Sequence, residues 1–426
     1  MISVLACFLL MAIGLPIAIS FAVIGFFGMA WSRGISAALE TLGSAPYTWA
    51  SIESFVCLIL FVLMGMFAFL SGISNELFDA ARKWFARRQG GLAQATILAC
   101  AGFGACTGSS IAGAATMATI AYPEMEKSHY SPRLATGAIA SGGTLGILIP
   151  PSNAFIIYGF LTQVSIADLF LAGILPGLLL TAIFIIGITI MCKWNPQLGP
   201  GGKSFPIKEK LLALKGAASM LALFLFVIGG LYFGIFTPTE AGAIGAFGAL
   251  VIAIVRRRMT VAGFISALKD TTRIACFVVT LAIGAMIFNT FISTIGFTTE
   301  FSQWMEGIHA SRAVIIVIIS FVYIILGIIM DELAMIMLTI PIVAPAMAAS
   351  GIDLIWFGVL TTLLSQMATI TPPFAMNVYV VQAATKARLI DVYWGILPFF
   401  FMMAICMIFL IAFPQISLFL PSMMKQ

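Results

Sequence analysis

The sequence predicts an all-α polytopic membrane protein, organised as an inverted-topology repeat with two re-entrant helical hairpins and two proline-broken helices. Three observations predict this fold class: recurring apolar runs, an uneven distribution of Lys and Arg, and an internal repeat. Of the 426 residues, 62% are hydrophobic and 9% are charged, and the mean hydropathy is +1.13. Apolar runs of about 20 residues, the length that crosses a bilayer as a helix, recur along the chain. A soluble protein of this size carries more charge, and the sequence lacks the alternation typical of membrane β-barrel strands.

Lys and Arg are concentrated in five loops, which hold 18 of the 21 basic residues. The positive-inside rule places these loops in the cytoplasm and accounts for the net charge of +5 without a nucleic-acid partner. Loops without Lys or Arg, at residues 162–168 and 236–240, are expected outside. The N-terminus is therefore expected in the cytoplasm and the C-terminus in the periplasm. The five basic loops are residues 82–88, 127–133, 193–215, 256–273 and 386–388.

The apolar runs between these loops predict nine simple spans, arranged as scaffold and repeat units in alternation. The spans lie at residues 2–30, 50–72, 134–162, 169–192, 216–235, 241–255, 274–297, 355–385 and 392–420. The units are residues 1–91 (N-terminal scaffold helices with an interfacial amphipathic helix at 76–91), 92–192 (first repeat), 193–312 (central scaffold helices) and 313–426 (second repeat).

Two further apolar stretches do not fit as simple crossings. Residues 92–123 lie between two basic loops, and residues 313–349 lie between two loops expected outside. Each is interrupted by polar residues, GACTGSS at 104–110 and GIIMDE at 327–332. A segment that enters and leaves on one side, broken at its tip, is a re-entrant helical hairpin. The two hairpins are predicted to enter from opposite faces of the membrane.

An internal repeat supports this arrangement. At a shift of 222 residues, prolines and a GILP motif coincide, and the two hairpin tips fall in register. Five crossings separate the hairpins, and this odd number inverts the second unit relative to the first, as in many secondary transporters. The coinciding elements are Pro123 with Pro345, Pro150-Pro151 with Pro372-Pro373, GILP at 173–176 with GILP at 395–398, and Ser109-Ser110 with Asp331-Glu332.

Each hairpin is followed by a helix that contains two consecutive prolines. Because proline lacks an amide donor, these helices are predicted to break at 144–152 and 366–374. Freed carbonyls and nearby hydroxyls form clusters of hard oxygen atoms that suit a small hard cation, and the helix start after each break suits an anion. A functionless kink, or a close helix crossing at 104–110, is the alternative. The hydroxyls are those of Ser109, Ser110, Thr144 and Ser152, and of Ser365, Thr369 and Thr371.

Two adjacent acids, Asp331 and Glu332, lie inside the second hairpin, where an ionised carboxylate is costly. A cation site would offset that cost. The alternatives are a cap on the helix that follows, and a proton site. Glu240, Asp168 and Asp391 are interpreted as helix-start acids, with a direct role in transport as the alternative for Glu240.

An enzyme is not predicted, because the two histidines, His129 and His309, lie in loops and no nucleophile–base pair is evident. The spacings of the seven cysteines match neither a disulfide framework nor a metal site, and no cofactor is expected.

Five stretches resemble the large membrane subunit of TRAP (tripartite ATP-independent periplasmic) transporters. They are GACTGSSIAGAATM (104–117), GGTLGILIPPS (142–152), GIFTPTEAGAIGA (234–246), GIIMDELAMIMLTIPI (327–342) and TPPFAMNVYV (371–380). The resemblance implies sodium-coupled import of an organic acid, such as a C4-dicarboxylate, sialic acid or other sugar acid, across the bacterial inner membrane by an elevator mechanism. It also implies two partners, a small four-helix membrane subunit and a periplasmic substrate-binding protein, besides membrane lipid. A stand-alone sodium- or proton-coupled carboxylate carrier is the alternative.

The resemblance also implies positions for two sodium sites and a substrate site. The first sodium site comprises Ser109, Ser110, Gly142, Gly143, Thr144, Ile147 and Pro150. The second comprises Asp331, Glu332, Ser365, Gln366, Ala368, Thr369 and Thr371. The substrate site comprises Pro151, Ser152, Asn153, Pro373 and Asn377. Sodium is the only metal expected, as the coupling ion.

Overall fold

A computed structural model describes residues 2–202, 204–307, 312–327, 329–372 and 375–424. Within these residues, the regular structure consists of twenty α-helices and a short 3₁₀ helix at Pro196–Leu198. The predicted all-α class is confirmed.

The N-terminal part contains one helix break and one helix that the sequence did not predict. A single span over 2–30 is wrong, because the chain breaks around Gly14, which has φ +98°, and Pro16, which lacks an amide donor. A helix that no predicted span includes, apart from its last residue, covers Ile35–Ala50. The helices are α1 (Ile2–Ala12), α2 (Ile17–Arg33), α3 (Ile35–Ala50), α4 (Glu53–Leu70) and α5 (Ile73–Phe85).

The amphipathic segment predicted at 76–91 forms α5, which ends at Phe85. Its basic residues are paired: Arg82 contacts Asp79 at 2.8 Å and Glu124 at 3.1 Å, and Lys83 contacts Asp79 at 2.7 Å. Burial raises the pKa of Asp79, but its hydrogen bonds and charge interactions with Lys83 and Arg82 outweigh burial and hold that pKa below its usual value. These contacts attach α5 to the first hairpin.

The first repeat has the predicted hairpin followed by a broken helix. The hairpin turns at Gly108, whose φ of +58° lies in the left-handed region. The broken helix bends by 40°. The helices are α6 (Gly91–Thr107), α7 (Ser110–Lys127), α8 (Pro132–Leu148), α9 (Asn153–Thr162) and α10 (Ile166–Trp194).

The central part contains more helix than predicted. Residues 256–273 were expected to be a loop, but α13 begins at Val261, after Thr260 accepts a hydrogen bond from Gly263 N at 3.0 Å. A short amphipathic helix, α14, follows. The helices are α11 (Ile207–Tyr232), α12 (Pro238–Val255), α13 (Val261–Thr294) and α14 (Phe297–Gly307).

The second repeat has the same order of elements as the first. The predicted span over 392–420 is interrupted, because the helix ends at Ala412 and Pro414 precedes the next one. The helices are α15 (Arg312–Gly327), α16 (Glu332–Ala349), α17 (Leu354–Thr369), α18 (Met376–Thr385), α19 (Leu389–Ala412) and α20 (Gln415–Met424).

Seven helices within the described residues are long and apolar enough to cross a membrane, and the bent pair α8–α9 adds an eighth candidate. The seven are α4, α10, α11, α12, α13, α16 and α19.

The two repeats interlock by exchanging equivalent contacts. Helix α18 of the second repeat packs on α7 of the first, and α9 of the first packs on α16 of the second. Likewise α19 packs on α8, and α10 on α17. A Cβ atom on Gly137 of α8 would collide with the carbonyl of Gly395 on α19, so these two helices cross in direct backbone contact. Outside this assembly, α2 packs on α13 and α4 on α12.

Candidate functional site

The tip of the first hairpin rests on a glycine face of α8. Ser109 caps α7, its Oγ accepting a hydrogen bond from Ala112 N at 3.3 Å. A Cβ atom on Gly143 would lie 2.8 Å from the carbonyl oxygen of Ser110, and one on Gly146 would lie 3.0 Å from that of Ser109. A larger residue at position 143 or 146 would therefore displace the hairpin tip.

The same tip touches the break between α8 and α9. Helix α8 ends at Leu148, ahead of Pro150 and Pro151, which have no amide hydrogen to donate. A Cβ atom on Gly108 would lie 2.6 Å from the carbonyl oxygen of Pro151. Ser152, fully buried, caps α9 by accepting from Phe155 N at 3.4 Å. The predicted meeting of hairpin tip and helix break is confirmed in the first repeat.

Asn377 joins the second repeat to the first. It lies in the first turn of α18, is fully buried, and its Nδ2 donates to Ser110 Oγ at 2.7 Å and to the carbonyl of Ala140 at 3.1 Å. Ser110 Oγ in turn lies 3.0 Å from Asn377 Oδ1. The structure therefore brings Asn377, which is predicted to bind substrate, against Ser110, which is predicted to belong to the first sodium site.

The second hairpin tip contacts α17 in the equivalent way. Asp331 caps α16, with Oδ1 accepting from Ala334 N at 3.3 Å. Glu332 Oε2 accepts from Gln366 Nε2 at 2.6 Å. A Cβ atom on Gly327 would collide with Ala368. Of the two adjacent acids, Asp331 caps its own helix, whereas Glu332 accepts the hydrogen bond from the broken helix.

Residues 4–416 match the family described as the DctM component of tripartite ATP-independent periplasmic transporters. The chain belongs to this family. It is a multi-pass membrane permease, and the resemblance drawn from the five sequence motifs is confirmed.

Two relatives of this TRAP permease carry different substrate names. The chain is 31% identical to the C4-dicarboxylate TRAP transporter large permease protein DctM of Pseudomonas aeruginosa, over 92% of this chain and 94% of that one. It is 30% identical to the sialic acid TRAP transporter large permease protein SiaM of Vibrio cholerae, over 96% and 95% of the two chains. The crystal structure of the Alcanivorax borkumensis YdaH transporter shares the fold, with a TM-score of 0.64 at 13% identity, covering 91% of this chain and 90% of that one.

Four of the seven hydroxyls predicted for the two cation clusters of this TRAP permease have their protons directed to backbone carbonyls. A hydroxyl that donates its proton keeps its oxygen lone pairs available to a cation. The bonds run from Thr144 to Ser141 O (2.6 Å), Ser365 to Thr361 O (2.8 Å), Thr369 to Gln366 O (2.9 Å) and Thr371 to Met367 O (2.6 Å).

Three other predicted site residues, Gly142, Ile147 and Asn153, do not carry hydroxyl groups. Gly142 faces α6, because a Cβ atom there would lie 2.8 Å from Cys100 Sγ, not against the hairpin tip. Ile147 is fully buried, and Asn153 begins α9. Pro373 lies outside the described residues.

Three buried side-chain oxygen atoms lie near the clusters, and of the residues that carry them the sequence predicted only Gln366. Ser141 Oγ, Thr362 Oγ1 and Gln366 Oε1 have no hydrogen-bond partner among the described residues. Buried polar atoms in folded proteins are normally satisfied, so these oxygens are further candidates for contact with an ion. Ser141 and Thr362 lie within about one turn of predicted site residues on α8 and α17, and that helical spacing is the signal that could have identified them.

The interpretation of Glu240 as a helix cap is confirmed. Thr237 N donates to Glu240 Oε2 at 2.8 Å, and Glu240 N donates to Thr237 Oγ1 at 3.3 Å, which forms a reciprocal capping box at the start of α12. Asp391, in the first turn of α19, pairs with Arg133 at 3.1 Å and Arg388 at 2.8 Å. Glu240 therefore stabilises the start of α12, whereas Asp391 pairs the start of α19 with Arg133 of α8.

Proposed function

We propose that this permease imports an organic acid across the bacterial inner membrane, driven by sodium. A periplasmic binding protein delivers the acid, and a small four-helix membrane subunit completes the transporter. One observation carries the proposal: each hairpin tip lies against a helix that ends at a proline break, the first tip beside the carbonyl oxygen of Pro151 after α8, and the second hydrogen-bonded through Glu332 to Gln366 of α17. The names of the relatives support an organic acid as substrate.

The two proposed sodium sites differ in charge. In the first, the tip carbonyls of Ser109 and Ser110 approach the glycine face of α8, so the ligands are neutral oxygens. In the second, Asp331 and Glu332 add negative charge beside Gln366. Sodium at both sites would make the tips electropositive, and the N–H groups that begin α9 and α18 face an anion favourably. Ion binding would then increase the affinity for the acid, and binding of the acid would increase the affinity for sodium, because such coupling is reciprocal.

The interlocking of the repeats supports an elevator mechanism. Because α7 packs on α18 and α9 on α16, neither hairpin can travel without the broken helix of the other repeat. We propose that both repeats, residues 92–192 and 313–426, move as one body against the scaffold of residues 1–91 and 193–312, with α5, which is paired to the first hairpin, at the boundary between the two bodies. Their α2–α13 and α4–α12 packing would form the stationary part.

The test is uptake into proteoliposomes that contain this chain, the small membrane subunit and the binding protein, with succinate and N-acetylneuraminate among a panel of labelled acids. We expect uptake that requires an inward sodium gradient and both partners. Saturable uptake by this chain alone would favour a stand-alone carrier. Uptake that follows an imposed proton gradient without sodium would show that the coupling ion is wrong.

A further inference from the structure

A cavity of about 700 Å³ lies between the scaffold and the two repeats. Scaffold helices α2 and α13 form one side, and α9 and α16, one from each repeat, form the other. Amide and hydroxyl groups line much of it, including those of Gln163, Asn289, Ser293 and Thr298. Among its described lining residues, Arg33 is the only charged side chain.

Arg33 departs from the charge distribution of the rest of the chain. Eighteen of the 21 basic residues lie in the five loops expected in the cytoplasm, whereas Arg33 ends α2 and lines the same cavity as Gln163, which lies in a loop expected outside. The helix C-terminus favours a cation there, but it does not explain why the side chain lines a polar cavity. Within the described part of the chain, no carboxylate forms an ion pair with Arg33, so its charge is available to an anion.

The cavity leads toward both proposed binding clusters. Along α9, Leu161 lines the cavity and Asn153 lies at the first helix break, about 12 Å apart at 1.5 Å per residue. Along α16, Pro341 lines the cavity and Glu332 lies at the second hairpin tip, about 14 Å away by the same measure. A small acid held in the cavity would therefore be within one or two molecular lengths of the helix breaks.

On the inner side of the cavity, a scaffold helix is hydrogen-bonded to a helix of the second repeat. Asn289 Nδ2 on α13 donates to the carbonyl of Met337 on α16 at 3.0 Å. That carbonyl is free to accept because Pro341, four residues later, has no amide hydrogen. The cavity thus lies where the two bodies would separate in an elevator movement.

We propose that this cavity is an outer capture site for the carboxylate of the transported acid, with Arg33 as its anion-binding group. The inference rests on the proposed function and adds a first binding site on the path by which the acid enters. A guanidinium binds a carboxylate through two parallel hydrogen bonds, and the amides and hydroxyls suit the polar remainder of an organic acid.

The first test needs no substrate. Thr294, in the cavity lining, is replaced by Cys in a Cys276→Ser background, since Cys276 is exposed and the other native cysteines are buried. Reconstituted transporter is labelled from outside with membrane-impermeant thiosulfonates, one anionic and one cationic. We expect Arg33→Gln to lower the anionic-to-cationic rate ratio by about threefold or more. Arg33→Lys should retain most of the ratio.

Arg273→Gln is the matched control, because Arg273 is also exposed but lies on the side expected to be cytoplasmic. Its ratio should equal that of the parent. A ratio unaffected by Arg33→Gln, or a Thr294→Cys thiol that external reagents do not reach, would overturn the capture site.

The second test is uptake by the complete transporter at limiting binding protein. Arg33→Gln should reduce the initial rate about threefold or more, with recovery in Arg33→Lys. Parental rates in Arg33→Gln would count against the inference while leaving the proposed function intact. If the parent transports no acid, the proposed function fails, and the labelling ratio still decides whether the cavity selects anions.

Discussion

Replacing Asp331 with Asn removes one negative charge from the second hairpin tip while preserving its local structure. Asp331 Oδ1 caps α16 by accepting from Ala334 N at 3.3 Å. Asn caps a helix about as well as Asp, so the hairpin should fold normally. The variant therefore isolates the effect of charge on a bound sodium ion.

The size of the effect follows from Coulomb's law. Glu332 follows Asp331 directly and accepts a hydrogen bond from Gln366 at 2.6 Å. Because neighbouring Cα atoms are about 3.8 Å apart, an ion bound near Gln366 would lie roughly 6 Å from the Asp331 carboxylate. Two unit charges at about 6 Å attract by about 3 kcal/mol at an effective dielectric constant of about 20. Asp331 is half-buried, so solvent screening reduces this to about 1.4 kcal/mol, or a tenfold change in affinity.

The assay is the initial rate of uptake against sodium concentration, in proteoliposomes with both partner subunits and at two pH values. We expect Asp331→Asn to raise half-saturating sodium about tenfold, with unchanged thermal unfolding. Glu332→Gln should raise it less, because the Gln366 N–H group already offsets part of the Glu332 charge. A sodium curve for Asp331→Asn that overlays the parent's would refute the reasoning and leave Asp331 as a cap alone.

Three further substitutions test other parts of the argument. Gly143→Ala should destabilise the protein by about 1–3 kcal/mol and reduce transport, because its Cβ would lie 2.8 Å from the Ser110 carbonyl; Gly229→Ala, with no atom within 4 Å, is the control in thermal unfolding and uptake. Thr237→Ala should lower stability by about 1 kcal/mol in denaturant titration without changing sodium dependence, since it removes only a helix cap. Asn289→Leu should break the bond between scaffold and repeat and shift the conformational equilibrium, measured by cysteine cross-linking between α13 and α16.

Each of these has a result that would contradict it. Equal losses in the Gly143 and Gly229 variants would mean that the hairpin tip does not need the glycine face. A changed sodium dependence in Thr237→Ala would give Glu240 a role in transport after all. Cross-linking that is the same in Asn289→Leu and the parent would show that the bond does not favour one conformation.

Backbone chemistry made the breaks predictable. The double prolines at 150–151 and 372–373 remove amide donors wherever the chain folds, so the interruptions of α8–α9 and α17–α18 follow from the sequence. The helix caps at Thr237 and Asp331 depend on neighbours three residues away and could be inferred in the same way. The break at Gly14 and Pro16 was missed because the run of apolar residues continues through it.

What the sequence determined by itself is the membrane class, the repeat, the hairpins and the family, because hydropathy, proline chemistry and motif order are properties of neighbouring residues. Only the tertiary structure decided that Asn377 bonds Ser110, 267 residues away, that Glu332 rather than Asp331 reaches Gln366, and that Arg33 lines a cavity with α9 and α16. Such contacts depend on which helices pack together and on how deeply each side chain is buried. Local preferences constrain the position of a turn or a cap, but they leave open which distant helix supplies the partner of a buried amide or carboxylate.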